Sequence, residues 1–181
     1  MEMVRDEDKC SVVLKDNLIY YIGGVGDSTF SMNEIPVFDT ANLVWLSMTT
    51  RGDQIGSRSG HSAVLNGLIL IYGGTGSNYT QVQPDVAILD VSVTPYTWKA
   101  IIIDKAPQPL MYHSATMYGI YMIIAFGAMV PSQPQPISSS ALNNNLYIFD
   151  TQNYTWVDTF DASNIYGSDL TNSNSPSLAP R

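Results

Sequence analysis

The stretch RSGHSAVLNGLILIYGG, Arg58 to Gly74, decides how the chain folds. Two apolar runs, His61 to Asn66 and Leu68 to Tyr72, meet at Asn66-Gly67, a dipeptide that favours the tight turn of a β-hairpin. Gly73-Gly74 closes the second run, as expected where a backbone needs positive φ or approaches a neighbour closely. The same phrase occurs twice more, as CSVVLKDNLIYYIGG from Cys10 and HSATMYGIYMIIAFGA from His113. Measured between Gly23, Gly73 and Gly127, the period is 50 and then 54 residues. Self-similarity at that spacing marks a repeat architecture.

Outward from the glycines, each repeat continues in the same way. A third run opens on a polar residue and closes on Asp, in Glu34–Asp39, Asp85–Asp90 and Asn145–Asp150. The closing carboxylate can cap the turn that follows. A fourth run is built around a Trp (Trp45, Trp98, Trp156), over Val44–Met48, Thr97–Ile102 and Tyr154–Phe160. Each repeat therefore reads as four short strands, and no stretch has helical periodicity. Asp16-Asn17 and Tyr118-Gly119 are the expected hairpin turns of the outer repeats, and Gly127-Ala128 stands in for the glycine pair in the third. Ile22, Tyr72 and Phe126 read as core wedges between neighbouring sheets. Pro36 predicts that its strand lies near an edge or starts late.

Taken as a set, these motifs resemble the kelch repeat over about residues 9 to 160, with repeats at about 9–49, 60–102 and 112–160. The resemblance implies an all-β, kelch-type β-propeller with four-stranded antiparallel blades around a central channel. It also implies structural duty for Gly23, Gly24, Asp39, Trp45, Arg58, His61, Gly73, Gly74, Asp90, Trp98, His113, Gly127, Asp150 and Trp156. Cys10 departs from the pattern where His61 and His113 conform, and Leu110 stands where Arg58 precedes its His by three. Three blades make an incomplete ring, since propellers generally need four to eight. The expectation is a fragment of a longer polypeptide, or a homodimer completing a six-bladed ring of about that usual size. Residues 161–181, rich in Ser, Asn and Pro, read as a flexible tail.

Composition narrows the partners. Apolar residues make up 45%, charged residues 13%, and the net charge is −8 with a pI near 4.4. No basic patch can neutralise phosphates, so nucleic acid and anionic membrane are not expected partners. Ile120 to Val130 is too short to span a bilayer, and no membrane segment is expected. Cys10 has no cysteine to pair with and reads as a small buried hydrophobe. No signal peptide opens the chain, which favours the cytoplasm. The alternative is a secreted or cell-surface protein, for which Asn78 and Asn153 fit the glycosylation pattern, although such matches are expected by chance.

Chemistry is sparse. Galactose oxidases are similar in superfamily, and they need a copper site of two His, two Tyr and a crosslinked Cys. His61 and His113 occupy the same repeat position, which points to a structural duty and to no metal or cofactor. Asp39, Asp90 and Asp150 recur because the turn needs them, so no catalytic residue is assigned.

Binding is the reading that topology supports. In an antiparallel meander the 2–3 connections and the links between blades emerge on one face, and here those are the long ones. Within them, Asp27, Phe30, Arg51, Asp53, Tyr79, Gln81 and Lys105 are the candidate partner contacts. The expected function is a non-catalytic protein-binding scaffold or adaptor. The alternative is part of a galactose oxidase-like or sugar-active propeller whose catalytic part lies outside this chain.

Overall fold

A computed structural model describes residues 11–25, 30–134 and 142–161. Cys10, Asp27 and the tail beyond Asp161 lie outside those residues. The described chain holds fourteen strands and no helix. Twelve of the strands form three antiparallel meanders. The first blade is β1 (Ser11–Lys15), β2 (Leu18–Ile22), β3 (Glu34–Asp39) and β4 (Val44–Gly52). The second is β5 (Ser62–Asn66), β6 (Leu68–Tyr72), β7 (Val86–Asp90) and β8 (Tyr96–Ile101). The third uses β10 (Ser114–Tyr118), β11 (Tyr121–Ala125), β13 (Leu146–Asp150) and β14 (Thr155–Val157). Two short strands, β9 (Leu110–Met111) and β12 (Ala128–Met129), pair beside the third blade. The innermost strands stand side by side, with β5 between β1 and β10. The chain is an all-β propeller of the kelch kind.

Alternation along the strands gives each blade two faces. The second blade sends Ile69, Ile71, Leu89 and Trp98 toward the first, where they meet Val13, Tyr20, Ile22, Ile35 and Val37. Its other face sends Val64, Leu70, Tyr72, Val86 and Ile88 toward Met122, Ile124 and Phe149 of the third. Burial of such side chains stabilises by about 1.5–3 kcal/mol each. Both faces of the second blade are thus covered.

Several details differ from the sequence reading, each for a local reason. β4 runs on to Gly52 because Thr50, Arg51 and Gly52 pair in parallel with Tyr96, Thr97 and Trp98. That seam fuses the first two blades into one eight-stranded sheet. Pro36 lies inside its sheet, between β2 and β4, and the β2–β3 ladder stops at Tyr20↔Val37 just before it. β3 nonetheless begins at Glu34, so neither the edge position nor the late start is found, and only its ladder with β2 is cut short.

In the third blade Tyr118 pairs with Tyr121, so the turn is Gly119-Ile120. The register then places Phe126-Gly127, not Gly127-Ala128, at the glycine pair. A Cβ on Gly127 would meet His113 Cβ at 2.8 Å, just as one on Gly74 would meet His61 Cβ at 2.7 Å. Ile22 and Tyr72 are fully buried wedges, whereas Phe126 is 70% exposed, with Ala125 at the wedge position instead.

Candidate protein-binding face

The connections β2–β3, β6–β7 and β11–β13 leave the sheets on the same face as the links between blades, as alternating strand direction requires. Among the described residues, the candidate contacts are spread over several of these loops. Arg51 and Asp53 fall at the β4–β8 seam. Arg51 Nε donates to Thr97 Oγ1 at 3.1 Å, and Asp53 Oδ2 accepts the Ala100 N–H at 2.8 Å. The Asp53 N–H donates to the Trp98 carbonyl at 3.0 Å. These two residues hold neighbouring blades together, a role that no feature of the TTRGD segment reveals without its partner strand.

The β6–β7 loop is ordered by its own backbone. Thr75 Oγ1 donates to the Thr80 carbonyl at 3.0 Å, and the Tyr79 N–H to the Gly76 carbonyl at 3.1 Å. Tyr79 takes a left-handed conformation (φ 56°) and keeps its ring half exposed. Gln81 and Gln83 stay exposed, and the side-chain amide of each donates to Asp85 Oδ1 at 3.2 Å. Burial raises the Asp85 carboxyl, opposed by these amides and by the Arg58 charge. Lys105 is exposed in the link from the second blade to the third, also left-handed at φ 62°. Phe30 borders a groove of about 760 Å³ on the first blade, with Tyr21, Glu34, Pro36 and Trp45 among its walls. Trp45, read in the sequence only as a structural position, is 45% exposed there.

Beneath the loops sit the repeat residues. Arg58 is fully buried, its Nε donating to the Gly56 carbonyl at 3.0 Å and its Nη1 to Gly73 at 2.9 Å. Burial lowers its pKa to about 10, so it stays charged. Leu110 is just as buried at the corresponding place. His61 is pushed down to about 3 by burial and then by the Arg58 charge, and His113 to about 4 by burial. Both rings are therefore neutral near pH 7. His113 Nε2 lies 2.7 Å from Ser62 Oγ across the seam between blades.

These rings explain the first glycine of each pair. A Cβ on Gly23 would lie 2.8 Å from His61 Cε1, and one on Gly73 3.1 Å from His113 Cε1. The closing aspartates cap their turns as their position requires. Asp39 Oδ1 accepts the Ala41 N–H at 2.9 Å, Asp90 Oδ1 that of Ser92 at 2.9 Å, and Asp150 Oδ1 that of Gln152 at 2.8 Å. Among the described residues, no three His, Cys, Asp or Glu side chains gather as a metal site. No helix there is long and apolar enough to cross a membrane.

Comparison with known proteins agrees with this architecture. Residues 9–169 match the family model described as the KLHDC2/KLHL20/DRC7 Kelch-repeats domain. Kelch domain-containing protein 3 of Homo sapiens is 31% identical over 150 residues, which are 82% of this chain and 39% of that protein. Its Mus musculus counterpart is 30% identical over the same shares. Acyl-CoA-binding domain-containing protein 4 of Arabidopsis thaliana is 26% identical over 148 residues, 81% of this chain and 20% of that protein. The chain thus spans about two fifths of the length of the kelch relatives it matches (39%). With its repeat register, capped turns and family match in agreement, the chain belongs to the kelch-repeat β-propeller family.

Proposed function

We propose that this chain is a non-catalytic protein-binding scaffold or adaptor that meets its partner through the loops on one face. Kelch propellers generally serve as protein-interaction scaffolds, and family membership supports that class of role. The observation that carries the finer reading is the β6–β7 loop, which presents the half-exposed Tyr79 ring on a backbone already ordered by Thr75, Gly76 and Thr80. An aromatic anchor held in place loses little conformational entropy on binding. Phe30 lies in the β2–β3 connection and Lys105 in the link after β8, with Asp27 assigned from the sequence. Arg51, Asp53 and Gln81 brace the loops through the bonds described above.

Crosslinking of the bound partner, with peptide mapping, tests this reading. Crosslinks are expected on Gly74 to Pro84 and Asp104 to Met111. Tyr79→Ala should weaken binding by about tenfold, on the order of 1.4 kcal/mol, and leave the unfolding midpoint in place. Crosslinks confined to the hairpin turns at Asp16-Asn17 and Asn66-Gly67 would refute it.

A further inference from the structure

Asn66 is the only asparagine in the sequence that is followed by glycine. Both residues are exposed at the β5–β6 turn, at the opposite end of the strands from the candidate binding loops. Gly67 has φ 72°, and no heavy atom lies within 4 Å of the place a Cβ would take. The glycine nitrogen can therefore reach the asparagine side chain with neither a β-carbon nor a neighbour in the way.

The Asn66 amide has a structural task. Its Nδ2 donates to Thr151 Oγ1 of the third blade at 2.6 Å. That hydroxyl is buried and gives its own proton to the Ile120 carbonyl at 2.7 Å, which the Thr151 N–H also reaches at 3.0 Å. One hairpin turn of the second blade is thus tied to two turns of the third. The bonds from Ser62 to His113, Gly74 to Leu110 and Tyr112 to Gly60 cross the same seam at its other, glycine end. In the first seam the same repeat positions are Lys15 and Val91. Lys15 pairs with Asp16 at 3.0 Å, and Val91 has no hydroxyl to offer.

We propose that Asn66 is a site of spontaneous deamidation, and that its conversion unfastens the turn end of the seam between the second and third blades. The Gly67 nitrogen attacks Asn66 Cγ. The N–Cγ bond forms, the Cγ–Nδ2 bond breaks, and ammonia leaves with the proton of the glycine N–H. Water then opens the cyclic imide, at one carbonyl to give aspartate and at the other to give isoaspartate. Nothing is oxidised or reduced. The atom that departs is the atom that made the tie. An aspartate brings no proton to Thr151 Oγ1, whose own proton is committed to Ile120, so two acceptors face each other. Isoaspartate adds a backbone atom inside the hairpin and displaces the Asn66↔Leu68 pair. These turns lie away from the loops proposed to bind a partner, so either reading stands without the other.

The test ages the full chain for days in neutral buffer at body temperature. Peptide mapping with electron-transfer fragmentation, which separates aspartate from isoaspartate, should find Asn66 converted well ahead of Asn33, Asn42 and Asn145. In the aged protein, and in fresh Asn66→Asp, hydrogen exchange at β13 and at the Thr151 N–H should be about fivefold faster than in fresh wild type, with β7 unchanged. Asn66→Gln keeps a donor and closes the larger ring far more slowly, so it should resist ageing. Thr151→Val copies Val91 of the second blade, and on that background Asn66→Asp should add nothing further. Conversion of Asn66 no faster than that of the other three asparagines would overturn the proposal. So would converted protein whose β13 exchanges as in the fresh chain, or an Asn66→Asp effect that persists in full beside Thr151→Val.

Discussion

His61 and His113 make the stability of this fold depend on pH. Burial lowers their pKa from the ordinary 6.5 to about 3 and about 4, so the unfolded chain binds more protons than the folded one between those values and 6.5. Stability is then fully present above pH 6.5 and falls on acidification, by up to about 1.4 kcal/mol per pH unit for each ring. Asp39, Asp90 and Asp150 are lowered below the usual carboxylate value of 3.8, and lose their contribution only in more acidic solution. Asp85, raised by burial, opposes the trend near the lower end of the histidine window. Urea unfolding at pH 7, 6 and 5 should show the decline, and His113→Gln should reduce its slope whatever it does to stability at pH 7. A flat profile over that range would rule out buried neutral rings.

At the scale of the strand, identical motif positions carry unequal energy. Trp98 is buried to 2% exposure between two blades and donates its N–H, whereas Trp45 is 45% exposed on the first blade. Trp98→Ala should cost roughly 3–5 kcal/mol as a core truncation. Trp45→Ala should cost on the order of 1 kcal/mol, since most of its transfer from water has not taken place. Equal losses in denaturant titrations would contradict the assignment of an open face.

The repeat was legible because each phrase, from His to Asp to Trp, serves one unit's own hairpin, turn cap and seam. What was not legible depended on partners far along the chain. β4 continues through Thr50, Arg51 and Gly52 only because Tyr96 to Trp98 lie beside them, so Arg51 and Asp53 read as loop anchors until their bonds to Thr97 and Ala100 were seen. The place of Phe126 was hidden by the third hairpin, whose turn at Gly119-Ile120 moves every later residue of that strand. The candidate binding face was legible as topology, because loop length alone marks it. Which side chains are tied to the scaffold was not, since the bond from Gln81 depends on Asp85 and Thr80 fixes the tip that carries Tyr79.

Across the whole molecule, stability should be graded from the middle outward. The second blade is covered on both faces and shares a continuous eight-stranded sheet with the first. The third blade belongs to a separate sheet, meeting the second through side chains and a few cross-seam bonds such as Tyr112 N–H to the Gly60 carbonyl at 2.7 Å. Local opening follows buried apolar contact and ladder continuity. Hydrogen exchange should therefore be slowest at β6 and β7, intermediate at β3 and β11, and fastest at β14, which keeps only three ladder pairs with β13. Protection equal in all three blades would mean that the meanders unfold as one unit, and that the seams, not the sheets, set the cooperativity.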